Sequence, residues 1–221
     1  MYSFKEVLVV MLSVALGVCC TSSAYADLDP NDNYSTLVLS FKNSNFAEPI
    51  CVGQECHEGV SGPAAVFSHQ FVPNLALGLT GSYLQSTASE SRIRSTNISV
   101  FAQLIAGLGY KVDVGTSIAG LSSSLQICSL NPSSCTSLDD NGVDIGVFGK
   151  VFLDDMKNVS LKLIYDSITY EKAQPQSVYT LSLVTIIAKH HRFDFSVDRS
   201  YKPSGISVSG GYVLGYSYLV F

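Results

Sequence analysis

Val159-Ser160-Leu161-Lys162-Leu163-Ile164-Tyr165-Asp166-Ser167-Ile168-Thr169-Tyr170 carries the clearest structural signal in the chain. Val159, Leu161, Leu163 and Tyr165 alternate with Ser160, Lys162, Ile164 and Asp166. Such alternation marks a strand whose two faces meet different surroundings. The segment is longer than the usual strand of about 5–6 residues. It matches a tilted strand crossing a bilayer, which needs about 9–11.

The pattern recurs on both sides. Within Gly142–Leu153, Val143, Ile145, Val147 and Val151 oppose Asp144, Gly146 and Lys150. Phe193, Phe195 and Val197 oppose Arg192, Asp194 and Asp198; Leu75, Leu77, Leu79 and Tyr83 oppose Ala76, Gly78, Thr80 and Ser82. Tyr110, Val112 and Val114 oppose Lys111, Asp113 and Gly115; Leu37, Leu39 and Phe41 oppose Thr36, Ser40 and Lys42. Thr96–Gly107, Ser177–Lys189, Ile206–Phe221 and the least regular, Ala64–Val72, bring the expected strands to about ten. Connections alternate in length: short at Val72–Asn74, Gly107–Gly109, Asp154–Asn158 and Lys189–His191, longer at Ser44–Pro63, Ser86–Ser95, Leu125–Asn141, Glu171–Gln176 and Ser200–Gly205. Short turns at one end and longer loops at the other is the layout of an up-and-down transmembrane barrel.

Composition agrees. The 221 residues are 47% hydrophobic and 14% charged, against about 25% charged in ordinary soluble domains. The longest apolar run, Val7–Val18, is short of the roughly 20 residues of a membrane helix. A formal net charge of −5 leaves no basic footprint for nucleic acid. An exported β-sandwich would also alternate, but it buries its apolar face and has no need of so few charges. A closed barrel in lipid needs them, because all its backbone groups pair internally.

The first residues read as a secretory signal peptide. Lys5 lies in the n-region, Val7–Val18 is the apolar core, and Ala24-Tyr25-Ala26 is the cleavage signal, so residues 1–26 are the leader and 27–221 the barrel. Cleavage leaves Cys51, Cys56, Cys128 and Cys135. An even number in an exported chain favours disulfides. Three pairings exist, and the spacings suggest the local ones, Cys51–Cys56 and Cys128–Cys135. No metal or cofactor is expected.

The sequence resembles the small outer-membrane β-barrels of Gram-negative bacteria, the OmpA-type and opacity-type porin-like proteins. Four features carry the resemblance: the leader, the hairpin Phe67–Leu79, the ladder of alternating strands, and the last strand Gly210–Phe221, aromatic-rich and ending in Phe. The resemblance implies an all-β, up-and-down antiparallel barrel in the outer membrane. Ten strands are counted here, and eight, as in smaller members, is the alternative. It further implies that Tyr216, Tyr218 and Phe221 form a signal for the outer-membrane assembly machinery, although Tyr212, Leu214, Tyr216 and Tyr218 alternate out of phase with Phe221. Outer-membrane lipid and lipopolysaccharide would surround a monomer.

With apolar faces toward lipid, the other faces send Lys42, Lys111, Lys150, Lys162 and Arg192 inward with Asp113, Asp144, Asp166, Asp194 and Asp198. Side chains fill small barrels, and opposite charges there are expected to pair, because a lone buried charge is costly. Tyr83, Tyr110, Tyr165 and Tyr179 are expected near the membrane interfaces. His69 replaces a residue that is often Tyr in the family, and His190 and His191 fall in a short turn. Glu55-Cys56-His57-Glu58 is the acid-plus-His cluster of the first long loop, and a rim hydrolase would need His57. The chain is expected not to be an enzyme. Its expected role is structural, or contact with an extracellular ligand through the two disulfide-stapled loops, with a narrow channel for small solutes or ions as the alternative.

Overall fold

The computed structural model describes residues 35–72, 74–131, 133–187, 191–203 and 207–218. The expected leader with Ala24 and Ala26, His190 and the terminal Phe221 lie outside the described residues. Ten antiparallel strands follow in order: β1 (Thr36–Val52), β2 (Glu55–Val72), β3 (Leu75–Thr87), β4 (Ser91–Gly107), β5 (Val112–Leu130), β6 (Ser133–Phe152), β7 (Val159–Tyr170), β8 (Gln176–Ile187), β9 (His191–Tyr201) and β10 (Ser207–Tyr218). Each pairs with its sequence neighbours, and β1 pairs with β10, which closes the barrel. The strand count of ten is met.

Alternation explains the wall. Leu39, Ile98, Ile145, Leu163, Leu181, Phe195 and Leu214 are exposed on its outer surface. Paired strands keep their faces in phase: Leu163 stands opposite Leu181, and Leu183 opposite Phe195. An apolar belt facing outward is stable only in lipid, the inverse of a soluble core.

Strand lengths are uneven. β7 to β10 have 11 or 12 residues, which suffices for a span. β1, β2, β4, β5 and β6 have 17 to 20. At about 3.3 Å per residue, the excess extends one side of the barrel by roughly 15–25 Å along the strands. The stretches Ser44–Pro63 and Leu125–Asn141, expected as loops, are therefore mostly strand. β1 and β2 join at Gly53-Gln54, where Gly53 has φ 63°, a conformation open chiefly to glycine. β5 pairs with β6 without a break from Val112↔Val151 to Leu130↔Ser133.

The other end carries the start of β1, the end of β10 and the short turns. Lys111 belongs here and not in the lumen. It precedes the first residue of β5, its side chain is half exposed, and its Nζ lies 2.6 Å from Asp155 in the next turn. That carboxylate raises its pKa. Alternation through Tyr110 and Val112 runs past the strand end, so it assigned Lys111 a face it does not have.

Candidate functional site: the lumen and the raised hairpins

Lys42, Asp113, Asp144, Lys150, Lys162, Asp166, Arg192, Asp194 and Asp198 occupy inward register positions, between residues whose side chains face out. Asp113 is 2% exposed. Arg192 and Asp194 form an ion pair at 2.8 Å, but they are on the same strand. Lys150 stands directly opposite both Asp113 and Lys162. Asp144 and Asp166 lie near each other, because Asp166 faces Gly146. The carboxyl of Asp166 fills the space a side chain at 146 would take. Lys150, Lys162 and Arg192 thus lie toward the turn end, and Asp144, Asp166 and Asp198 toward the hairpins. Asp113 and Asp194 lie at the turn end beside these cations, so the sorting by height is partial.

The lumen is also less polar than expected. Ala76, Ile105 and Phe148 form a buried cluster with Ile164 against it. Phe148 lies across Gly115 and Phe101 across Gly78, their direct cross-strand partners. Nearer the hairpins, Val60, Leu84 and Ile93 make a second cluster, with Phe46, Ile50 and Leu125 packed on it.

Both disulfides close the local pairs, Cys51–Cys56 and Cys128–Cys135. Each joins directly opposed residues of a hairpin. They staple strand ends, where loops were expected.

His57 is 4% exposed. Its Nδ1 lies 2.7 Å from Ser86 Oγ and its Nε2 2.8 Å from Ser91 Oγ. Ser91 Oγ donates to Glu55 Oε2 at 2.5 Å, and Ser89 Oγ and the Glu90 amide donate to the same carboxylate. A carboxylate only accepts, which fixes the direction of the chain. Ser91 gives its proton to Glu55, so His57 Nε2–H donates to Ser91; in the neutral ring Nδ1 then accepts from Ser86. The sequence cluster supplied His57 and Glu55 but not the serines, which come from β3 and β4 and share no local spacing with them. Neighbouring backbone donors are occupied, among them the Ala88 amide on Ser91 O and the Glu90 amide on Glu55. The network ties the β1–β2 hairpin to the β3–β4 turn.

The Ser89 hydroxyl first, then Ser91, lower the Glu55 pKa from 4.5 to about 2. A depressed folded-state pKa gives stabilisation that is complete above the unfolded value and lost as pH falls through the folded one. The tether is therefore expected to weaken between pH 4.5 and about 2. The Glu90 amide resonance, followed by NMR in micelles, should titrate near the lower limit and be insensitive in Glu55→Gln. A midpoint near 4.5 would contradict the network.

Tyr165, Tyr179 and Tyr201 form a chain of ring contacts at 5.1 and 6.0 Å. Near the turn end, His69 stacks edge-on against Phe71 at 4.7 Å. His191, expected in a solvated turn, is the first residue of β9, and its Nδ1 lies 2.9 Å from the Tyr216 hydroxyl. The backbone of Tyr218 pairs with His191.

No family model and no curated protein matches the chain. Solved structures do. The NanC porin superposes with a TM-score of 0.51 at 7% identity, covering 83% of this chain and 100% of that one. The translocator domain of the autotransporter NalP from Neisseria meningitidis gives 0.49 at 11%, covering 98% and 97%. Ail, the attachment invasion locus protein of Yersinia pestis, gives 0.41 at 10%, covering 83% and 96%. The chain has the fold of the outer-membrane β-barrels.

Proposed function

We propose that this barrel resides in the outer membrane of a Gram-negative cell and serves as a surface-interaction protein, with the raised hairpins as its contact surface. One observation carries the reading. Beyond Gly142 toward the hairpin tip, β6 pairs with β5 alone, since its register with β7 begins at Gly142↔Tyr170. Ser133–Asp139 are all exposed. An open strand edge can accept an extended segment by strand addition, so the partner is a polypeptide with such a segment. The Cys128–Cys135 disulfide keeps the edge extended near its tip. Asp139 and Asp140, which bond Lys172 and the Ala173 amide, close its lower end.

Lipopolysaccharide is the second proposed partner. Ile98 is 58% exposed on the outer wall, and Arg94 and Arg92 follow on the same face of β4 toward the hairpins. Cations just beyond the apolar belt suit lipid-borne phosphates. The apolar cluster around Val60, Leu84 and Ile93 supports a closed lumen over a channel, and the occupied amides around His57 support a tether over a hydrolytic site.

The test removes Ile127–Thr136, so that Gln126 and Ser137 are joined by an Asn-Gly turn, and places an epitope between Gly53 and Gln54. Intact cells are expected to expose the epitope with either chain. Their adhesion to a protein-coated surface should fall to the level of cells lacking the barrel once the hairpin is shortened. An epitope accessible only after lysis would refute the location, and unchanged adhesion would refute the role.

A further inference from the structure

A cavity of about 160 Å³ lies in the lumen toward the turn end. Among the described residues its lining includes Lys150, Lys157, Lys162 and Arg192 but no carboxylate. The lysines come from different elements, yet they converge. Lys150 and Lys162 are directly opposed on β6 and β7, where like charges repel. Their ammonium groups each lie 4.2 Å from an aromatic centroid, Lys150 over Phe152 and Lys162 over Phe148. Lys157 reaches the space from the β6–β7 turn with φ 56°, a conformation that is uncommon outside glycine, Asn and Asp. It is nonetheless 6% exposed, with its Nζ 4.9 Å from the Tyr110 ring centroid and 5.0 Å from that of Phe152. A turn that merely reversed the chain would be better served by glycine or Asn. Here an unfavoured backbone conformation brings one more cation to the mouth of a cationic cavity.

We propose that this cavity is a binding site for a small oxyanion, a phosphate, sulfate or carboxylate group, entering from the turn end. The volume resembles that of an engineered cavity which holds benzene, about 150 Å³, so one such group fits and a long chain does not. Gln103, Asn158 and Ser160 also line it and offer neutral donors beside the ammonium groups. Arg192 is partly neutralised by Asp194, and Asp113 stands opposite Lys150, so the cations outnumber the nearby acids. An anion between Lys150 and Lys162 would turn their repulsion into two attractions. The site is independent of the raised hairpins and of any partner bound there.

The experiment measures the unfolding temperature of the detergent-folded mature barrel in low-millimolar inorganic phosphate and in chloride at equal ionic strength. Wild type is expected to melt higher in phosphate. Lys162→Met should lose that gain while melting no lower than wild type in chloride, because a repulsion has been removed. Lys157→Met, outside the strands, should weaken the apparent phosphate affinity about tenfold, the loss of roughly one charge-assisted hydrogen bond. Equal melting of wild type in the two salts would overturn the proposal without reference to any variant. So would a phosphate gain retained in both variants, which would be the general strengthening of burial by excluded salts.

Discussion

Gly115→Val is expected to prevent the barrel from closing. Gly115 is an inward residue of β5, opposite Ile105 on β4 and Phe148 on β6. A Cβ there would overlap the Leu104 carbonyl oxygen and meet the Phe148 ring at 2.5 Å. The ring cannot swing aside, since Phe148 is 5% exposed and packs against Ala76, Ile105 and Ile164. Overpacking usually costs about 1–3 kcal/mol. A branched side chain against a sheet carbonyl belongs at the upper limit or above it. Glycine under an aromatic cross-strand neighbour is a known device for curving and pinning sheets, and Gly78 under Phe101 repeats it. Gly149 gives the internal control. It is an outward position of β6, between the inward Phe148 and Lys150, and a Cβ there meets nothing within 4 Å. On an unheated SDS gel, Gly149→Val should run as the compact folded band, and Gly115→Val should not. Gly115→Val with Phe148→Ala should recover in part, limited by the carbonyl clash. Equal folding of the two single variants would mean that the Phe148–Gly115 contact does not fix the wall.

These glycines show how far the sequence can be read. Alternation reveals a strand only where its two faces differ in solvent. Val159–Tyr170 has lipid on one side and packed lumen on the other, and its observed limits are those of the pattern. The raised tip of β6, Ser133–Asp139, has water on both sides. Ser133–Asp140 therefore shows no apolar period and reads as loop, although it is strand. The inward charges were legible one strand at a time. Their sorting by height was not, because it depends on register between strands that alternation leaves undetermined. Lys157 gave no signal, since a lysine in a short polar turn reads as solvated. Ser86 and Ser91 become partners of His57 only through pairing across β2, β3 and β4.

Leu163→Arg is expected to destabilise the barrel in phospholipid vesicles by about 2–4 kcal/mol, the cost of an arginine facing lipid near the bilayer midplane. Leu163 is 58% exposed and lies midway along β7, whose length is that of a single span. Accessibility alone does not carry this expectation, because Leu130, an outward residue at the raised end of β5, is also exposed. Leu130→Arg should change stability within about 0.5 kcal/mol, as surface substitutions in water do. The difference lies in what touches the side chain, hydrocarbon at 163 and water at 130, and it follows from the heights of the two strands. Guanidinium unfolding of both variants in the same vesicles measures it. Equal costs at the two positions would place the tip of β5 and the middle of β7 at the same depth, and the raised wall would then lie within the membrane. A large cost at 163 alone places the apolar belt around β7 to β10 and leaves the open edge of β6 in water, where a partner strand could reach it.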